Sequence, residues 1–189
     1  GLLQDIERLH ILIVIEQDEG SPPEADIQLH ERSQFGPYLQ SAFLPSVAEQ
    51  LVELTLCDWS WGAIPGEFNG KGLHFPSLKT LTLGGYIITR RDQFDWVLAQ
   101  KSLTSLSLYS CAIASHCLVL QPDFASWGVD LRGWKWVADT PDEEDLERLA
   151  GIPYVGIPGE HPLTPGWYVN HLRWETIFDS IREKLPNLR

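Results

Sequence analysis

Three stretches of the chain align with one another without a gap: Leu51–Trp61 (LVELTLCDWSW), Leu78–Ile88 (LKTLTLGGYII) and Leu103–Ile113 (LTSLSLYSCAI). Each reads L-x-x-L-x-L-x-x-(large or Cys)-x-(apolar), and their starts lie 27 and then 25 residues apart. The second and third leucines of each triplet are i, i+2 neighbours, so they share one face of a short strand. The first leucine sits where the chain turns in from a loop. A buried leucine contributes roughly 1.5–3 kcal/mol. One such unit cannot bury its own leucines, so the units must pile up side by side as parallel strands.

The residues between the leucines then point away from the core. Stacking predicts outward rows of Val52, Lys79 and Thr104, of Glu53, Thr80 and Ser105, and of Thr55, Thr82 and Ser107. This is a small, hydroxyl-rich surface suited to hydrogen bonding, with Glu53 and Lys79 as a neighbouring charge pair. Asp58 and Tyr109, at the strand ends, would supply larger anchors for a partner. The period falls in the ~20–29-residue range of leucine-rich repeats. The expected architecture is therefore an α/β leucine-rich-repeat solenoid of short parallel strands with an irregular or helical convex side, one domain over 1–189.

A degenerate earlier unit is expected near the start, as Ile6-x-x-Leu9-x-Ile11 or, one register on, Leu9-x-x-Leu12-x-Val14. At the other end Leu185-Pro-Asn-Leu188-Arg189 parallels Phe75-Pro-Ser-Leu78-Lys79, with proline where its missing N–H costs little. A further unit is expected to begin there. The chain contains no methionine, and it reads as a trimmed piece of something longer.

The return segments differ. Residues 89–101 suit a helix, with Thr89 as cap, Asp92 closing back on it, and Phe94, Val97 and Leu98 as its apolar stripe. Residues 173–185 suit another, with Trp174, Ile177, Phe178, Ile181 and Leu185 on one side. Residues 62–75, rich in glycine, should be irregular. The stretch 114–170 is too long for a return and reads as an insertion. Within it Trp127–Val137 suggests a β-hairpin turning near Arg132 and Gly133, and Thr140-Pro-Asp-Glu143 suggests a helix start. Its tryptophans Trp127, Trp134, Trp136 and Trp167 form either a private core or a small-molecule pocket.

Taken together, Phe75–Leu83, Asp95-Trp-Val-Leu98, Leu103–Ile113 with Cys111, and the closing Leu172–Arg189 resemble the leucine-rich-repeat region of fungal F-box-like proteins. The resemblance covers roughly 44–113 and 170–189. It implies capture of a target protein by the repeats inside the cell, in cytoplasm or nucleus, with a ligase adaptor recruited by an F-box. No F-box is visible in this sequence. Leu44-Pro45 leads directly into the Leu51 strand.

Charge and chemistry narrow the alternatives. The net charge of −12 repels nucleic-acid phosphates and anionic membrane surfaces, so neither is an expected partner. No nucleotide-binding, hydrolase or zinc-protease fingerprint occurs. Gly70-Lys71-Gly72 is a glycine-rich turn, since the strand–loop–helix context of a phosphate loop is missing. The acidic run Asp139–Glu147 lacks the spacing of a calcium loop and suits a helix N-terminus. The six histidines are scattered, and Cys57, Cys111 and Cys117 fall short of a four-ligand zinc site, so no metal and no cofactor is expected. Cys111 holds the repeat position that turns inward, which favours a structural thiol over a nucleophile paired with His116. Two alternatives stay open: an enzyme or small-molecule binder using the tryptophan-rich insertion, and a secreted interaction protein with a Cys111–Cys117 disulfide.

Overall fold

The computed structural model describes residues 5–12, 30–63, 67–119, 130–138 and 166–189. The chain is mixed α/β. Its main sheet is parallel and contains β1 (Arg8–Leu12), β2 (Glu53–Gly62), β3 (Thr80–Ile88) and β4 (Ser105–Tyr109), with the two-residue β5 (Ala112–Ile113) pairing the far end of β3. Spatial order follows chain order, β1-β2-β3-β4. Each of β2, β3 and β4 therefore lies beside the one before it.

The register places the leucine triplets side by side. Leu9, Leu54, Leu81 and Leu106 pair in one row, and Ile11, Leu56, Leu83 and Leu108 in the next. Of the two registers open for the first unit, Ile6-x-x-Leu9-x-Ile11 is the one adopted. Leu54, Leu56, Leu81 and Leu83 are completely buried, whereas Leu9, Ile11, Leu106 and Leu108 on the flanking strands are only half-buried. Neighbours on both sides, rather than sequence, make that difference.

The same hydrogen bonds recur at each strand start. The N–H groups of Val52 and Glu53 both donate to the Glu7 carbonyl, at 2.7 and 3.0 Å. Those of Lys79 and Thr80 donate to Val52, and those of Thr104 and Ser105 to Lys79. The Arg189 N–H donates to the Thr104 carbonyl at 3.1 Å, in the same pattern. A tight turn precedes the last three steps, closed by Leu78 on Phe75, Leu103 on Gln100 and Leu188 on Leu185. Proline at the second position of two of these turns is pre-set for it.

Before β2 lie α1 (His30–Tyr38), a π-helical turn (Leu39–Phe43) and a 3-10 turn (Leu44–Ser46). Leu39, Leu44 and Val47 enter the core under the sheet. Residues 67–75 contain no helix or strand, as the glycines predicted. The return after β3 is shorter than expected: a 3-10 turn (Arg91–Phe94) runs into the single α-turn α2 (Asp95–Leu98). Its cap also differs. The Gln93 side-chain oxygen, not Asp92, accepts the Thr89 N–H at 2.9 Å, while Asp92 turns to Arg90. The closing helix α3 (Trp174–Lys184) buries Ile177 and leaves Phe178 49% exposed, stacked on Trp174 at 5.5 Å.

The insertion contributes a second sheet, antiparallel, in the order β6 (His116–Val119), β8 (Gly166–Val169), β7 (Lys135–Ala138). The turn at Arg132 and Gly133 exists, with Trp134 N–H bonded to the Leu131 carbonyl and Gly133 at φ +85°. Among the described residues the strand beside β7 is β8, brought from some thirty residues further on. The predicted arm at 127–129, the helix start at Thr140 and the acidic run lie outside the described residues.

Two tethers fix this sheet to the first. Trp134 Nε1 and Asn170 Nδ2 both donate to the main-chain carbonyl of Thr89, at 2.9 and 2.7 Å. Arg90, only 8% exposed, meets Glu67 at 2.6 Å, Asp92 at 3.0 Å and Asp130 at 3.0 Å. Burial pulls the Arg90 pKa down, but hydrogen bonds and charge from Asp92 and Glu67, and the Asp130 charge, outweigh it and leave it raised. A cation taken out of water stays charged only with such partners.

Candidate recognition face

Outward residues of the parallel sheet form three rows in register. The first is Arg8, Glu53, Thr80 and Ser105; the second is His10, Thr55, Thr82 and Ser107; the third is Leu12, Cys57, Gly84 and Tyr109. Their opposite faces carry the leucines, so strand alternation alone sorts the two sets. Ser105 and Ser107 are exposed, Thr55, Thr80 and Thr82 half-buried, and Tyr109 72% exposed.

Several expected residues take other roles. Val52, Lys79 and Thr104 lie just ahead of the strands, where their main chains join the layers. The Thr104 hydroxyl donates to the Lys79 carbonyl at 3.2 Å and is consumed in the stack. Lys79 is exposed, but it does not pair with Glu53, whose carboxylate meets Arg8 at 3.6 Å and His10 at 3.4 Å instead. Both come from β1, where Arg8 lies directly opposite Glu53 and His10 one row on, opposite Thr55. Asp58 lies where the β2–β3 register shifts, off the three rows.

Arg8, His10, Leu12, Cys57 and Gly84 belong to the face and were not among the expected residues. The first three were within reach of the Ile6-x-x-Leu9-x-Ile11 spacing once that register was extended. Gly84 marks a close approach: a Cβ there would sit 2.6 Å from the Cys57 sulfur. The third row thus has a thiol leaning across a glycine, flanked by exposed Leu12 and Tyr109.

Among the described residues, Trp134, Trp136 and Trp167 do not line a common cleft. Trp134 is tied to Thr89, and Trp136 pairs in register with Tyr168, the neighbour of Trp167. Adjacent residues of a strand face opposite ways, so Trp136 and Trp167 stand on opposite sides of the small sheet. The clefts described below are lined by other residues. Trp127 lies outside the described residues.

None of the three cysteines is disulfide-bonded. The Cys111 thiol donates to the Leu83 carbonyl at 3.2 Å, and burial pushes its pKa up despite backbone hydrogen bonds that oppose the shift. His116 Nδ1 meets Ser115 Oγ at 2.9 Å. Cys111 is therefore a structural thiol, at the end of its strand as expected. Tyr86 occupies the same repeat position in the layer before. Its hydroxyl lies 3.0 and 3.1 Å from the carbonyls of Phe68 and Gln93, and burial raises its pKa. Among the described residues no cluster of three or more His, Cys, Asp or Glu side chains is placed to hold a metal. No helix among them is long and apolar enough to cross a membrane.

No family model matches the chain, and no curated protein or solved structure matches it at a significant level.

Proposed function

We propose that this chain is a protein-recognition module, a leucine-rich-repeat array whose outward strand rows capture a target protein. The observation carrying this reading is the in-register, hydroxyl-rich face Glu53/Thr80/Ser105 and Thr55/Thr82/Ser107, on a sheet whose reverse side fully buries Leu54, Leu56, Leu81 and Leu83. The recurring carbonyl at each strand start supports the repeat architecture, because each layer contacts chiefly its neighbours. The resemblance to fungal F-box-like proteins makes the module the target-binding part of a ubiquitin-ligase subunit, with the adaptor held elsewhere. Three thiols without a disulfide suit an intracellular setting.

Four strands at ~4.8 Å and rows spanning about six residues cover roughly 400 Å². A stable complex needs about 800 Å² per partner, so the rows supply half, and Tyr109 and Leu12 extend the contact. The test is capture from cell extract by immobilised wild-type chain and by a Thr82→Arg/Ser107→Arg variant. Wild type should retain a defined protein that the variant loses, while both melt at the same temperature. Equal capture by both refutes the face.

A further inference from the structure

A second surface stands apart from the strand rows. A cleft of about 730 Å³ runs between the return segment after β3 and α3, lined among others by Arg91, Asp95, Arg132, His171 and Lys184. A neighbouring cleft of about 610 Å³ shares Arg90, Asp92, Asp95 and Arg132 with it and adds Lys71 and His74. The chain as a whole carries 14 basic against 26 acidic residues. Along the two clefts the ratio is reversed: five Lys and Arg side chains face two aspartates.

Partners already in place account for only part of that positive charge. Arg90 is saturated by Glu67, Asp92 and Asp130, and Arg132 pairs with Asp130. Among the described residues Arg91 reaches the neutral hydroxyl of Ser180, at 3.4 Å. Lys184 lies 3.9 Å from Asp95, too long for a close ion pair. Arg91, Lys184 and the outer edge of the Arg132 guanidinium thus offer donors along one wall. From α3 the lining takes Lys184, with His171 and Leu172 ahead of the helix. The cleft continues into its neighbour through the shared Arg90, Asp92, Asp95 and Arg132. A lone inorganic anion would fill a small part of that joint space, whereas a short acidic peptide would lie along it.

We propose that this cleft binds an extended acidic peptide segment, its carboxylates received by Arg91, Arg132 and Lys184. Long-range repulsion from the acidic chain does not forbid this. At physiological ionic strength charges are screened beyond about 8 Å, so the local cations dominate a bound segment. The site shares no residue with the strand rows, and its success or failure leaves the recognition face untouched.

The probe is a fluorescently labelled hexaglutamate peptide, titrated against the full chain by anisotropy at 0.15 M ionic strength. Hexaglutamine serves as neutral control and inorganic phosphate as competitor. Hexaglutamate should bind, and an Arg91→Ala/Lys184→Ala variant should weaken it about tenfold or more. Arg91→Lys, which keeps the charge, should weaken it less, and Thr82→Arg/Ser107→Arg should leave it unchanged. Both cleft side chains are exposed, so an unaltered melting temperature is expected throughout. Absence of binding, equal binding of hexaglutamine, or full affinity in the double alanine variant overturns the proposal. Displacement of the peptide by phosphate at equal concentration overturns it too, in favour of a single-anion site.

Discussion

Replacing Leu81 by alanine tests the architecture most directly. Leu81 is completely buried and lies in register between Leu54 and Leu106. Parallel ladders pin the backbone on both sides, so the space left by the lost methyl groups cannot close. A leucine removed from such a site costs about 3–4 kcal/mol, combining lost transfer energy with an unfilled cavity. Leu106 occupies the equivalent place one layer on, but it is half-buried and, among the described residues, has a strand on one side. Its truncation exposes less new apolar surface and leaves room to relax, so about 1–2 kcal/mol is expected. Urea denaturation followed by tryptophan fluorescence measures both. With a slope near ~2 kcal/mol per molar, Leu81→Ala should lower the midpoint by roughly 1.5–2 M and Leu106→Ala by less than ~1 M. Equal losses, or a larger loss for Leu106, would refute the claim that neighbours on both sides set the stability of each layer.

Two further outcomes follow from ionisable groups. Burial pushes the Asp130 pKa up, but the Arg132 backbone N–H and the charges of Arg132 and Arg90 pull it below the ordinary carboxylate value. Its folded form is therefore stabilised above that value, and the contribution disappears as pH falls through the lowered one. Wild type should lose more stability than Asp130→Asn on acidification from pH 7 to about pH 2.5, so that the two denaturation curves converge; parallel curves would count against the pairing. Cys117 is buried and its thiol is pushed up to about 12 by desolvation. Iodoacetamide at pH 8 should label it only after denaturant is added, as mass spectrometry of the peptide would report.

The leucine triplets were legible because i, i+2 spacing on a short strand has few other uses, and three copies at a near-constant interval fix which strands become neighbours. Two of the three expected outward rows, Glu53/Thr80/Ser105 and Thr55/Thr82/Ser107, followed from the same alternation. What the sequence hid was polar and distant. Gln93 and Gln100 look like ordinary surface glutamines, yet both are fully buried and tie loops to returns: Gln100 accepts from the Phe75 N–H and donates to Leu73 and Trp96. Arg90 gives no periodic signal, and its role depends on Glu67 and Asp130 lying 23 and 40 positions away. The small antiparallel sheet is built of four-residue strands whose pairing crosses a long stretch of chain, too short for alternation to declare itself. The charge partner of Glu53 was misjudged because β1 brings Arg8 directly opposite it and His10 one row on, while Lys79 lies ahead of β3.

The shared acceptor at Thr89 has an evolutionary corollary. Because the oxygen that holds both Trp134 and Asn170 belongs to the peptide unit, no substitution at position 89 short of distorting the backbone deletes it. The insertion can drift in composition as long as two donors still reach that point. One oxygen thereby takes both side-chain donors by which Trp134 and Asn170 hold the small sheet there, beside the Arg90–Asp130 tether, and losing either donor leaves the other in place.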